Sequence, residues 1–138
     1  MVLIPVFKKI SKGLSMSNVT PSIEFFVGIS EELSNVSLRR SKQTGIRNVL
    51  MIFENLKSLE RFRSYTNQTY GDLRLIDSEG EISVTPSSLK IIWGGDEGDE
   101  LKEVRCGFDL EKDEHWDRFM RFMERYAEAN GMAYQDTK

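Results

Sequence analysis

The chain has little of what most protein chemistry relies on: one cysteine, one histidine, and no apolar run near the roughly eighteen residues that cross a bilayer. A lone cysteine, Cys106, excludes an internal disulfide. Its place in an alternating apolar stretch points to a buried thiol in a reducing compartment, because free cysteine behaves as a small hydrophobe. With His115 as the single histidine, the usual structural zinc sets cannot be assembled within one chain. His115 stands beside Trp116 at a solvated helix start, a position that needs no catalytic explanation. Charge of one sign is also scarce: 19 basic and 22 acidic residues leave a net charge of -3 and a pI near 5.3. That balance offers no general attraction to phosphate or anionic lipid, which disfavours nucleic-acid binding.

Phosphate-binding loops, dinucleotide fingerprints and nucleophile elbows are missing too. The run Gly94 to Glu100, GGDEGDE, invites two sharper readings that its spacing rejects. A calcium loop needs alternating ligands and a terminal glutamate set after the glycine. A diguanylate cyclase signature needs an aromatic residue where Gly98 stands, in a longer domain. A solvated connection is the expected role. Carboxylates are plentiful, but abundance does not make a converging acid and base, and the residues point away from an enzyme.

What is present is enough for one globular domain: 138 residues, of which 39% are hydrophobic and 30% charged. The first segment, MVLIPVFKKISKGLS, carries its charges after its apolar stretch, the reverse of an export signal. Met16 is the expected start, leaving residues 1–15 as an upstream extension without structure. The alternative is a helix with Phe7, Ile10 and Leu14 opposite Lys8, Lys9 and Lys12, suited to weak adsorption on a membrane surface. The division is therefore an N-terminal extension over 1–21, an α+β domain over 22–134, and a tail at 135–138.

Within the domain, alternation predicts strands at Ile23–Val27 and Val36–Arg40. The continuous run Val49 to Phe53 predicts a central strand over Ile46–Phe53, covered on both faces. Leu56, Leu59 and Phe62 fit a short helix. Tyr70–Ile76 and Glu81–Thr85 flank a turn whose Asp77 can bond its own backbone, which makes a hairpin. Leu89–Trp93 and Leu101–Leu110 form another pair, with Val104, Cys106, Phe108 and Leu110 on one face of the last strand. A helix from Glu114 to Asn130 follows, with Asp113 as N-cap and Gly131 as terminator. Trp116, Phe119, Met120, Met123, Tyr126 and Ala127 share its apolar face, opposite Arg118, Arg121, Arg125 and Glu128. Phe122 falls at the stripe's edge, open to core packing or to a partner, and core packing is expected. Glu114 with Arg118 and Asp117 with Arg121 are spaced for helical ion pairs. The class is α+β: an antiparallel sheet covered by a long C-terminal amphipathic helix.

Arg39, Arg40 and Lys42 form the densest basic feature. They read either as a solvated edge or as a contact for an acidic protein surface or membrane rim, since complementary charge mainly sets encounter and register. An RNA-binding sheet, the alternative function, would need solvent-facing aromatics, and Phe25, Phe53 and Phe108 fall at core positions.

The helix WDRFMRFMERYAEANG, Trp116 to Gly131, closely resembles the terminal helix of the Psb-twenty-eight family of photosystem II reaction-centre proteins. IEFFVGI near the domain's start, VSLRRSK from Val36 to Lys42 and IDSEGE from Ile76 to Glu81 extend the resemblance over most of residues 22–134. The resemblance implies a soluble, non-catalytic assembly or repair factor without a cofactor, monomeric when free. It implies transient, peripheral attachment to photosystem II intermediates at the cytosolic or stromal face of the thylakoid, near the inner core-antenna subunit and reaction-centre subunits. The implied contact is strand addition, with Arg39, Arg40 and Lys42 setting orientation. The basic extension, the polar segment Glu60 to Thr69 and the acidic loop Gly94 to Glu100 depart from the family pattern and suggest a divergent, second-type paralogue.

Overall fold

Side chains alternate across a strand, so a strand with every second residue apolar can bury one face and leave the other wet. The computed structural model describes residues 2–5, 19–60 and 72–135, and the expected helix at Phe62 falls outside them beyond its first residues, Leu59 and Glu60. The strands among the described residues are β1 Val2–Pro5, β2 Ser22–Phe26, β3 Ile29–Glu31, β4 Asn35–Arg40 and β5 Arg47–Phe53. After these come β6 Leu73–Asp77, β7 Gly80–Val84, β8 Ser88–Gly94, β9 Glu100–Leu110 and, beyond helix α1 at Asp113–Asn130, β10 Met132–Gln135. They make two sheets, one of order β10-β1-β4-β5-β9-β8 and one of order β3-β2-β6-β7, with antiparallel pairing throughout. The class is α+β, as expected, with the strands divided between two sheets where one was anticipated.

The larger sheet buries one face only. Val49, Met51 and Phe53 of β5 are fully enclosed, whereas Leu50 and Ile52, pointing the other way, are half-buried. The central strand is therefore covered on one side, which corrects the expectation of cover on both. Val36 and Leu38 of β4 and Val104, Cys106 and Phe108 of β9 share the enclosed face. Against it pack Ile23, Phe25, Leu73 and Leu75 of the smaller sheet, joined by the edge-to-face contact of Phe25 with Phe53 at 5.3 Å between centroids.

Helix α1 closes the same core. Phe108 of β9 meets Phe119 edge-to-face at 5.6 Å, and the Tyr126 hydroxyl accepts the Leu33 amide at 2.9 Å, tying the helix to the β3–β4 connection. Phe119, Phe122, Met123, Tyr126 and Ala127 are buried, and Trp116 and Met120 pack half-buried along one margin. Phe122 is thus a core residue. The helix opens one residue earlier than expected: Lys112 holds the cap position in an extended conformation without a side-chain cap, and Asp113 lies in the first turn. Gly131 ends it at φ 66, a left-handed conformation that costs glycine nothing, with its amide bonded to the Ala127 carbonyl.

Three strands lie where the sequence reading had none. Val2–Pro5 pair with β4 and β10, so these four residues have structure where a structureless extension was expected, while residues 6–18 lie outside the described part. Met132–Gln135 turn back from Gly131 and pair with β1, and Ile29–Glu31 pair with β2. Short β3 gains support from Glu31, a buried carboxylate that accepts the Lys57 amide at 2.7 Å, the Ser58 amide at 2.9 Å and the Ser58 hydroxyl.

Candidate docking surface

Two charged regions flank the core, and their ion pairs distinguish them. At the β6–β7 turn, Asp77 has a fully buried side chain that accepts hydrogen bonds from Arg118 at 2.7 and 3.0 Å and from Arg125 at 2.9 Å. Glu79 accepts from Arg121 at 2.7 and 3.0 Å and from Arg125 at 2.7 Å. Three arginines spread over about two turns of α1 are thereby latched to one hairpin. Burial pushes the Asp77 carboxyl up, but bonds from Arg118, Arg125 and the Glu79 amide outweigh it and leave it below its ordinary range. Hydrogen bonds from Arg121 and then Arg125 draw Glu79 down to about 2. The arginines spaced for pairs within the helix thus spend their hydrogen bonds on a distant hairpin.

The second region is the β4–β5 end. Ser41 and Gly45 close a tight turn, with the Gly45 amide on the Ser41 carbonyl at 2.8 Å and Gly45 at φ 76, and Lys42 stands exposed at its tip. Arg39 and Arg40, adjacent on a strand, point to opposite faces. Arg39 lies opposite Asn48 on the open face, where Asn48 donates to Asp109 at 2.8 Å. Arg40 lies opposite Arg47 on the helix side. Like charges placed opposite one another are unfavourable, and Arg47 is neutralised by Asp113 at 2.9 Å while its guanidinium lies 5.2 Å from the Trp116 ring. Arg47, Arg74, Arg105, Arg118, Arg121 and Arg125 each have an acidic partner; Arg39 and Arg40 have none among the described residues.

Trp116 is therefore a half-buried wall between core and basic end. Replacing it with alanine is expected to cost about 1 to 3 kcal/mol by urea denaturation, combining partial burial with the lost cation–π contact. A loss above about 4 kcal/mol would place the indole inside the core in solution.

Backbone pairing sites lie at the sheet margins. β8 and β10 bound the larger sheet, β3 and β7 the smaller. The longest of these, β8, carries Lys90 and an irregularity between Ile92 and Trp93, features that blunt an edge against pairing. It also lies three strands from β4, about 14 Å at the usual strand spacing, so Arg39 and Arg40 cannot orient a segment laid on it.

A family model described as Psb28 protein matches residues 23–134. The chain belongs to the Psb28 family. A relative from Synechococcus sp. (strain JA-2-3B'a(2-13)), called photosystem II reaction center Psb28 protein, is 36% identical over 111 residues, 80% of this chain and 95% of its own. Relatives of the same description from Guillardia theta and Prochlorococcus marinus (strain MIT 9215) are 34% and 33% identical. They cover 81% and 88% of this chain and 92% and 98% of their own. The Psb28 match takes in β4, the basic end, the hairpin latch and α1; β1 lies outside it.

Among the described residues of this Psb28-family chain, groups suited to bond chemistry do not converge. His115 is exposed in the first helical turn, and Cys106 is buried, its thiol pushed up to about 12 by burial. No cluster of three or more metal-ligating side chains occurs among the described residues. An open depression of about 330 Å³ beside β4 is lined by Glu32, Leu33, Ser34, Asn35, Glu54 and Asn55, which include no activated nucleophile. No helix among the described residues is long and apolar enough to cross a membrane. Sequence reasoning grouped Arg39 and Arg40 with Lys42, but their division between two faces was legible from strand alternation.

Proposed function

We propose that this Psb28-family chain is a non-catalytic factor that attaches transiently to partly built photosystem II and leaves the mature complex. It docks peripherally at the cytosolic or stromal face of the thylakoid, on the inner core-antenna and reaction-centre subunits, and is monomeric when free. The reading is supported by relatives described as photosystem II reaction center Psb28 protein at 31–36% identity. The observation that carries the docking mode is the pair Arg39 and Arg40, cations without a described partner on a strand whose other arginine neighbour is neutralised. A partner segment adding beside the Arg39–Arg40 end of β4, past the two positions that β1 pairs, would satisfy backbone groups and bring carboxylates to both arginines. Against the RNA alternative, Phe25, Phe53 and Phe108 are buried, at 6%, 0% and 1% exposed, and cannot stack on bases.

Replacing Arg39 and Arg40 together with glutamate is expected to lower co-purification with affinity-tagged assembly intermediates about tenfold or more. The melting temperature should stay nearly unchanged, as it does for most surface substitutions. Undiminished recovery of the double variant removes the docking mode. Equal recovery of the unmodified chain from intermediates and mature complexes, or from neither, removes the function.

A further inference from the structure

β1 fills a gap one strand wide between two elements that the family match includes or reaches. The match runs from residue 23 to 134; β4 lies within it, and β10 begins within it at Met132. Among described strands β10 pairs with β1 alone. Since β1 is antiparallel to both neighbours, β4 and β10 run parallel to one another. The space between them is a slot with backbone donors and acceptors on both walls, which offers more than an open edge.

β1 covers the two walls unequally. Its residues Val2, Leu3, Ile4 and Pro5 pair with Gln135, Tyr134, Ala133 and Met132. Against β4 the register holds Val2 opposite Ser37 and Leu3 opposite Val36, whereas β5 pairs with β4 along its whole length from Asn35 to Arg40. Past Leu38, the β4 wall carries Arg39 and Arg40, two arginines without an acidic partner among the described residues.

We propose that this slot is a strand-binding site, filled in cis by Val2–Pro5 and in trans by an extended segment of a partner protein that begins with acidic residues and continues with alternating apolar ones. The proposal rests on reading the chain as a factor that docks by strand addition. Direction follows from β4: a segment replacing β1 runs antiparallel to it, so its first residues lie opposite Arg40 and Arg39 and its later ones opposite Leu38, Ser37 and Val36. Directly opposed residues share a face. Leu38 and Val36 are buried, so the places opposite them take apolar side chains, and the place opposite half-buried Ser37 takes a polar one. The places opposite Arg40 and Arg39 take carboxylates. Val2, Leu3, Ile4 and Pro5 carry no charge, so exchanging β1 between two copies would leave both arginines unanswered. β1 thus acts as a built-in competitor, lowering apparent affinity by the fraction of molecules in which the slot is closed.

The test uses a fluorescent synthetic peptide, Asp-Glu-Val-Thr-Val-Thr, with anisotropy read for the full chain and for a variant lacking residues 1–5. Circular dichroism checks that the variant keeps its fold. The peptide is expected to bind the shortened chain about tenfold or more tightly than the full chain. Changing Arg39 and Arg40 to glutamate in the shortened chain should abolish that gain. Hydrogen exchange on the full chain needs no variant: excess peptide should speed exchange at the Val2, Leu3 and Ile4 amides and leave β8 unchanged. Equal affinities, unchanged exchange at Val2 to Ile4, or a full-chain dimer that becomes monomeric on deletion would each overturn the slot. Co-purification with photosystem II intermediates is scored separately. If it persists while peptide affinities are equal, the slot alone falls; if it is absent while the peptide gain appears, the photosystem reading alone falls.

Discussion

Phe122→Ala is expected to lose about 3 to 5 kcal/mol of folding free energy, the range for truncating a fully enclosed aromatic ring. The ring is 0% exposed, at the centre of the buried arc that runs from Phe119 to Ala127. It stacks on Tyr126 at 5.9 Å with an interplanar angle of 28°, and Tyr126 in turn holds the Leu33 amide. Removing the ring leaves a cavity in a close-packed interior and frees the side chain that ties the helix to the β3–β4 connection. Urea denaturation reads the loss, and it should exceed that of Trp116→Ala. A change below about 1 kcal/mol would mean that the helix presents this side to solvent or to a partner.

Asp77→Asn should cost about 2 to 4 kcal/mol, slightly under the loss for breaking a fully enclosed ion pair. The carboxylate is fully buried, while the arginines it binds are partly solvated, Arg118 at 20% and Arg125 at 35% exposure, and retain Glu79 nearby. Arg121→Ala should cost far less than Asp77→Asn, because its half-exposed guanidinium is screened by water. The pH dependence follows from the direction of both shifts. Asp77 and Glu79 titrate lower in the folded chain than in the unfolded one. Their contribution is therefore complete above the unfolded carboxylate range, about pH 5, and disappears as pH falls through the folded values, Glu79's lying at about 2. The stability curve of Asp77→Asn should be flatter than that of the unmodified chain across this acid window, and parallel curves would show that the latch does not titrate with folding.

Legibility in the sequence tracked the length of each pattern. The eleven residues of β9 and the eighteen of α1 repeat their period often enough to be read locally, down to Gly131 as terminator. The β6–β7 hairpin was legible from Asp77 and Gly80 at its turn. β1, β3 and β10 were not: strands of three or four residues hardly repeat a period, and they form because neighbouring backbones have groups to satisfy. The latch was half legible. Arg118, Arg121 and Arg125 were visibly cationic, but their partners lie 41 to 48 residues upstream, and local spacing proposed nearer acids. Arg39 and Arg40 stood out as a basic pair, yet their lack of acidic partners among the described residues became visible only when the other described arginines had been matched to carboxylates.

Cys106 sits mid-strand in β9, directly opposite Met51 of β5 on one side and Leu89 of β8 on the other. Maleimides and similar alkylating reagents act on thiolates they can reach, and here the sulfur is shut in and stays protonated. Labelling therefore waits for those three strands to separate, and its rate becomes an intrinsic clock for opening of the larger sheet. A second cysteine placed on the surface would be the site such a dye finds in the folded protein, so spectroscopic rulers can be attached with Cys106 left in place.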